Sequence, residues 1–269
     1  MIRPLTEADR AATVQLLANA PHFNLYMLGN LEKLGFTNPI CEFWGDVVEG
    51  PGATTMRAIL NRYMTGWTVY GLAESDWPAL GAILDQHPVS ANRLQDNPGG
   101  VASFLPYLRR YRAENVKLEE VMALDSAAFR PIAELDGVVI RRGTLADLPQ
   151  LVEFYAAAEH LSRSPAAVER PLRDTRLWLA EQGGKIIATA LTNAETSHMA
   201  MIGGVYTPPA MRGRGLSQAV CSALCTELIA QQKQPILYWD TPAAGTVYRK
   251  LGFRAMGRWR SVWLHSVDA

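Results

Sequence analysis

Residues 2–9 read Ile-Arg-Pro-Leu-Thr-Glu-Ala-Asp, and residues 140–147 read Ile-Arg-Arg-Gly-Thr-Leu-Ala-Asp. At an offset of 138, Ile, Arg, Thr, Ala and Asp coincide, and Val14 and Val152 extend the match. The offset is about half of the 269 residues, so the repeat implies two similar domains and not a stack of short units. Each copy predicts the same opening. A short apolar strand runs into Thr6 or Thr144, whose hydroxyl can cap the next helix. The Asp three residues later completes a capping-box-like pair. The helix that follows carries Val14, Leu16 and Leu17 in one copy, and Leu148, Leu151, Val152 and Phe154 in the other.

Composition narrows the class. The chain is 48% hydrophobic and 19% charged, which excludes a largely disordered protein. No apolar run reaches the ~18–20 residues of a spanning helix, so no membrane partner is expected. The first ten residues carry charges where a signal peptide would be apolar, so a cytoplasmic protein is expected. Three cysteines, at 41, 221 and 225, form no C-x-x-C, which disfavours a disulfide framework or a zinc site. No metal is expected. The zero net charge hides an asymmetry. Up to Asp136 there are 11 basic and 16 acidic residues, or −5; after it there are 15 and 10, or +5. The two halves are suited to different tasks. The basic residues form no single run, so no nucleic-acid partner is expected.

The hydrophobic patterning predicts an α/β chain with mixed sheets. In the first half, strands are expected at Cys41–Glu49, Thr55–Arg62, Trp67–Leu72 and Val116–Leu124, with a turn at Gly50-Pro51-Gly52. Helices are expected at Trp77–Gln86 and Val101–Tyr111. Ser126–Asp136 reads as a linker, which gives domains over 1–125 and 137–269. In the second domain, Arg176–Glu181 and Lys185–Thr192 form a hairpin around Gly183-Gly184. Then follow strand Ala200–Thr207, helix Leu216–Gln232, strand Ile236–Asp240, helix Ala243–Leu251 and strand Arg258–Leu264.

The chemistry concentrates in Val205-Tyr-Thr-Pro-Pro-Ala-Met-Arg-Gly-Arg-Gly-Leu-Ser217. Pro208 and Pro209 end the strand. The turn Arg212-Gly213-Arg214-Gly215 opens directly into an amphipathic helix beginning Leu216-Ser217. Unpaired N–H groups at a helix N-terminus, glycines that allow close approach and two arginines suit a phosphate or pyrophosphate. Gly203-Gly204, within an otherwise apolar strand, mark a bulge or a place where a ligand nears the backbone.

Arg212-Gly-Arg-Gly-Leu-Ser217 resembles the Arg/Gln-x-x-Gly-x-Gly/Ala signature of the GNAT family, the Gcn5-related N-acetyltransferases. Asp240-Thr-Pro-Ala-Ala-Gly-Thr-Val-Tyr-Arg-Lys-Leu-Gly-Phe253 resembles that family's second signature, Asn-x-x-Ala-x-x-x-Tyr-x-Lys-Leu-Gly-Phe, in the right order and spacing. The resemblance covers roughly 137–264. It implies tandem GNAT-like domains, with two central strands of the sheet splayed and acetyl-CoA as co-substrate in the cleft. Val205, Tyr206, Thr207, Arg212, Gly213, Arg214, Gly215, Leu216, Ser217 and Thr241 would contact the cofactor. Ser217 replaces the last small residue of the signature, and Thr241 stands where the family often has Asn. No Glu lies within Met199–Val205, where the family often keeps its general base, so the base stays unassigned. The first half has the same element order but reads Ala73-Glu-Ser-Asp-Trp77 where the phosphate turn would be, which suggests a degenerate copy.

The resemblance makes Tyr248 the catalytic acid; its competing role is packing in the core. A phenol near pKa 10 and a thiol near 8.5 make proton transfer to a departing thiolate slightly uphill. Glu195 and His198 flank the start of the central strand and read as surface residues, with proton relay as their alternative. Cys221 and Cys225 read as small core residues. The implied activity is acetyl transfer from acetyl-CoA to a primary amine of a small molecule or peptide, by direct attack in a ternary complex. The alternatives are a non-catalytic acyl-CoA sensor and transfer of a larger acyl group.

Overall fold

Both copies of the repeat fold alike. Arg3 forks onto the Asp9 carboxylate at 2.8 and 2.7 Å, and Asp9 Oδ2 accepts the Thr6 backbone N–H at 2.9 Å and the Thr6 hydroxyl at 3.1 Å. Arg141 forks onto Asp147 at 2.9 and 2.6 Å, and Thr144 donates to Asp147 through its N–H at 2.8 Å and its hydroxyl at 3.0 Å. Three of the five coinciding residues therefore build one network twice, ahead of a single 3-10 turn and then a helix. The repeated valines have no such role: Val14 is exposed.

The structure, a computed structural model, describes residues 1–50, 53–96, 98–158, 161 and 163–267. The chain divides into two units, Met1–Val121 with Gly257–Ala269, and Met122–Met256. The first unit opens with β1 (Ile2–Pro4), α1 (Arg10–Leu17) and α2 (Leu25–Leu34). It continues with β2 (Cys41–Gly50), β3 (Ala53–Tyr63), β4 (Gly66–Gly71) and α3 (Trp77–Gln86). Then come β5 (Arg93–Asp96), α4 (Pro98–Phe104) and β6 (Tyr111–Ala123). Strands β1 to β4 pair antiparallel in sequence order, and β5 adds parallel to β4. Gly50 pairs with Ala53; Pro51 and Gly52 of the expected turn lie outside the described residues.

The second unit comprises β7 (Val139–Arg142), α5 (Leu148–Ala156), α6 (Pro165–Asp174), β8 (Leu177–Gln182) and β9 (Lys185–Glu195). These are followed by β10 (Met199–Tyr206), α7 (Leu216–Ala230), β11 (Gln234–Trp239) and α8 (Pro242–Leu251). Its strand order is β11-β10-β9-β8-β7, with only the β10–β11 pair parallel. The β8–β9 hairpin turns on Gly183 and Gly184 at φ +57° and +73°, the left-handed pair that a two-residue hairpin needs. Helix α7 buries Leu216, Val220, Leu224 and Leu228 in the core.

Three readings change. The helix expected over Val101–Tyr111 ends at Phe104, followed by a 3-10 turn over Leu105–Tyr107, and Tyr111 opens β6. Pro106 cannot donate the N–H that an α-helix would use there. The expected linker 126–136 is docked on the second unit. Arg130 N–H donates to Leu251 O, Ile132 N–H donates to Ser222 Oγ, and Phe129, Ile132 and Leu135 pack on its core. The last strand, β12 (Arg254–Ser266), does not close the second domain as the patterning predicts. From Gly257 it counts with the first unit, where Arg260–Trp263 pair antiparallel with β5. Helices α2 and α6 and strand β5 had no sequence reading. No helix among the described residues is long and apolar enough to cross a membrane.

Candidate functional site

Strand β10 makes the site possible by departing from regular pairing. Its parallel ladder with β11 runs from Met199↔Gln234 to Ile202↔Leu237 and stops, although β10 continues to Tyr206 and β11 to Trp239. On its other side the register to β9 shifts at Met201/Ile202 and again between Gly203 and Tyr206. Gly204 sits there at φ +56°, a backbone state that suits glycine. A Cβ on Gly204 would stand 2.7 Å from the Leu191 side chain and 2.9 Å from the Tyr155 hydroxyl. Two hydroxyls converge on the Gly204 carbonyl, Tyr155 at 2.7 Å and Thr189 at 3.1 Å. The bulge expected from Gly203-Gly204 is thus present and held from α5 and β9. Sequence reading missed both holders, which come from 49 and 15 residues away.

The turn after β10 has the geometry of an anion cradle. Gly213 and Gly215 take φ +81° and +77°, and Gly215 is the N-cap of α7. Intrahelical bonding begins with Ala219 donating to Gly215 O, so the first-turn N–H groups of Leu216, Ser217 and Gln218 have no partner within the helix. Residues 212–215 are exposed. Arg212 Nε donates to Thr207 O at 3.2 Å, and Arg214 donates to Gln182 Oε1 at 3.0 Å. The hydroxyls of Thr207 and Ser217 bond at 2.7 Å, tying the end of the strand to the first turn of α7. No carboxylate occurs in 207–217. Left-handed glycines, first-turn N–H groups and two exposed arginines fit a pyrophosphate. The Leu216 side chain is buried in the core, so only its backbone is available to a ligand. Val205 and Tyr206 are half-buried. Thr241 caps α8 from an exposed position, without a side-chain cap bond.

Tyr248 lies on α8, only 6% exposed, edge-on to Phe253. Burial pushes its phenol well above 10, with smaller upward contributions from Cys221, Cys225 and Asp240. The phenol is therefore the protonated form throughout the working pH range, and the pKa match assumed from free phenols does not hold in this site. Trp239 at the end of β11 packs so closely on α8 that a Cβ on Gly245 would stand 2.5 Å from its ring.

Glu195 is not a surface residue. It is buried and ion-paired with Arg176 and with Lys233 at 2.7 Å, and it accepts the Thr192 hydroxyl at 2.7 Å. It pairs across from Ala200, at the far end of β10 from the bulge. His198 is exposed. Cys221 and Cys225 are fully buried core residues.

The corresponding helix start in the first unit is closed from within. Asp76 caps α3, its Oδ1 accepting the Ala79 N–H at 3.1 Å, and the Asp76 N–H donates to Asp46 Oδ2 at 2.9 Å. Asp46 is fully buried and bonded to Arg57 at 2.8 Å. Protein carboxylates stand at this helix start, in the region that the second unit leaves open to an anion.

A family model described as FR47-like protein matches residues 182–264, a span that contains both motifs. No curated protein matches the sequence. Among solved structures, a Drosophila protein is similar at TM-score 0.70 and 12% identity, with 98% of each chain covered. A GCN5-related N-acetyltransferase from Sphaerobacter thermophilus is similar at TM-score 0.64 and 19% identity, covering 99% of this chain and 95% of that one. A tandem GNAT protein from the clavulanic acid biosynthesis pathway is similar at TM-score 0.62 and 16% identity, covering 99% and 98%. The chain has the GNAT fold. The family likeness read from the two motifs is borne out, and so is the mixed α/β architecture.

Proposed function

We propose that the second unit is an acyl-CoA-dependent N-acetyltransferase acting on a primary amine of a small molecule or peptide, and that the first unit is a degenerate GNAT-like copy. The observation that carries the reading is the conjunction on one strand of the Gly204 bulge with the open anion cradle at its end. Three free, buried cysteines suit a reducing compartment such as the cytoplasm.

Val205, Tyr206 and Thr207 would hold the acyl and pantetheine end, residues 212–217 the pyrophosphate, and Thr241 the opposite wall. Acetyl-CoA, when bound, supplies an activated thioester. The acceptor amine attacks it directly, with both substrates bound. The backbone N–H of Val205, beside the bulge, stabilises the negative charge that develops on the acyl oxygen. Tyr248 donates a hydrogen bond from Oη to the departing sulfur and keeps its proton, because burial holds the phenol well above the usual thiol range. The C–S bond breaks as the C–N bond forms, CoA leaves as the thiolate, and the nitrogen's excess proton passes to water.

The test is a screen of amine acceptors with acetyl-CoA, reading free thiol. Thiol release above the hydrolysis background with at least one amine, lost in Tyr248→Phe, supports the reading. CoA binding with no amine-dependent release would make the protein an acyl-CoA sensor.

A further inference from the structure

Beside the bulge, two arginines converge on one asparagine. Arg163, which precedes α6, donates through Nη2 to Asn193 Oδ1 at 3.1 Å, and its guanidinium stands 5.7 Å from the Tyr155 ring centre. Arg170, on α6, donates through Nη2 to the Asn193 carbonyl at 2.9 Å. Asn193 lies on β9 against the bulge: a Cβ built on Gly203 would stand 2.0 Å from Asn193 Nδ2. Tyr155, over whose ring Arg163 lies, is the residue that holds the Gly204 carbonyl. The arginines are thus placed around the point where the strand gives up its side chains.

Like Arg212 and Arg214 of the turn after β10, they differ from the arginines of this unit's ion pairs. Arg141, Arg142, Arg173 and Arg176 each hold a carboxylate within about 3.1 Å. Among the described residues, Arg163 and Arg170 hold none, and their bonds go to the neutral Asn193. Arg163 Nε is buried with no hydrogen-bond partner. Arg57 Nε is in the same state although Arg57 holds Asp46, so an unmet Nε does not by itself call for a ligand. The Nη groups of Arg163 and Arg170 do: their charge has no carboxylate partner among the described residues, and a carboxylate is the acceptor that matches the guanidinium fork.

We propose that Arg163 and Arg170 bind the carboxylate of the acceptor, so that the preferred acceptor is an amino carboxylate. This rests on the acetyltransfer reading for the amine end, and the carboxylate site stands on the arginines themselves. With the carboxylate held beside Gly203, the amine of such a molecule lies close to the strand position where the acyl group is expected. The arginines then act as specificity determinants that touch the acceptor and not the cofactor.

Two measurements test it together. The first compares kcat/KM for amino acids and for their amides, in the wild type and in Arg163→Met, Arg163→Lys and Arg170→Met. The second measures binding of N-acetylated amino acids and N-acetylated amino-acid amides to the CoA-loaded protein by calorimetry, with no turnover. The proposal expects the acids to exceed the amides by about tenfold or more in both, the margin vanishing in the Met variants and surviving in part in Arg163→Lys. Amides that match or exceed the acids in the wild type would overturn it, and that comparison needs no variant to fold. Acetyl transfer indifferent to the carboxylate would sink this proposal and leave the transferase reading intact. Carboxylate-selective binding with no transfer to any amine would do the reverse.

Discussion

The Tyr155 hydroxyl reaches the carbonyl of Gly204 at 2.7 Å, from a helix 49 residues earlier in the chain, and so fixes the one left-handed residue of the central strand. The bulge is a peptide held by two donors, because Thr189 reaches the same oxygen. Removing one donor is therefore expected to loosen it, and adding a side chain to break it. Tyr155→Phe should cost about 1 kcal/mol in denaturant unfolding, with Thr189 retaining the remaining bond. Gly204→Ala must resolve a 2.7 Å approach to Leu191 while keeping a positive φ, and should cost about 1–3 kcal/mol. A Gly204→Ala protein as stable as wild type would mean that the bulge relaxes freely.

CoA should bind once per chain. The second unit offers an open helix start with Arg212 and Arg214 beside it, whereas in the first unit Asp76 and Asp46 stand at the start of α3. Calorimetric titration should give a stoichiometry near one. Arg214→Glu should weaken CoA by about tenfold or more while leaving pantetheine, which lacks the pyrophosphate, nearly unaffected. Two equivalent sites, or equal losses for the two ligands, would reject this assignment.

How much of this could be read from the chain depends on how local each feature is. The Thr-Asp opening, the Gly183-Gly184 turn and the Arg212–Ser217 turn each lie within a few residues, and each formed as its residue chemistry requires; the arginine fork on that Asp had no sequence signal beyond the repeat. The bulge was legible as a glycine pair, but its holders were not, because Tyr155 and Thr189 meet Gly204 only after the sheet assembles. Arg163, Arg170 and Asn193 carried no motif at all. Arg258–Leu264 was legible as a strand through its alternation, yet alternation does not name a partner. One partner is β5, about 166 residues earlier, as in the Gln95–Ser261 hydrogen bond. Glu195 looked like a surface acid because its cations, Arg176 and Lys233, come from the separate connections that precede β8 and β11.

Tyr248→Phe should lower kcat by about tenfold or more and leave the affinity for acetyl-CoA nearly unchanged. Removing a buried hydroxyl while keeping the ring should disturb α8 little. Because burial raises the phenol pKa, Tyr248 should contribute no basic limb to the pH–rate profile between pH 6 and 9. A wild-type basic limb in that range that disappears in the Phe variant would show that the phenol ionises more readily than its burial implies. Full activity in the variant would return Tyr248 to packing.

The twin carboxylates Asp9 and Asp147 predict a shared acid response. Each is held by an arginine fork and by its threonine, which together lower its pKa from 3.8 to about 2. A carboxylate whose folded pKa lies below its unfolded value stabilises the fold above the unfolded pKa. That contribution falls away as the pH drops from about 4 through 2. Arg141 is 35% and Arg3 28% exposed at the side chain, so solvent screens both pairs and the expected share is about 1–2 kcal/mol each. Asp147→Asn keeps the size and one acceptor oxygen but gives up the charge. It should therefore lower stability by that amount at pH 7 and flatten the loss between pH 4 and 2. Asp9→Asn should do the same, and the double variant should show the sum, because the two sites share no residue. Urea midpoints measured at pH 7, 5 and 3 decide it. Variants whose midpoints fall in parallel with the wild type over this range would show that the acid response arises elsewhere.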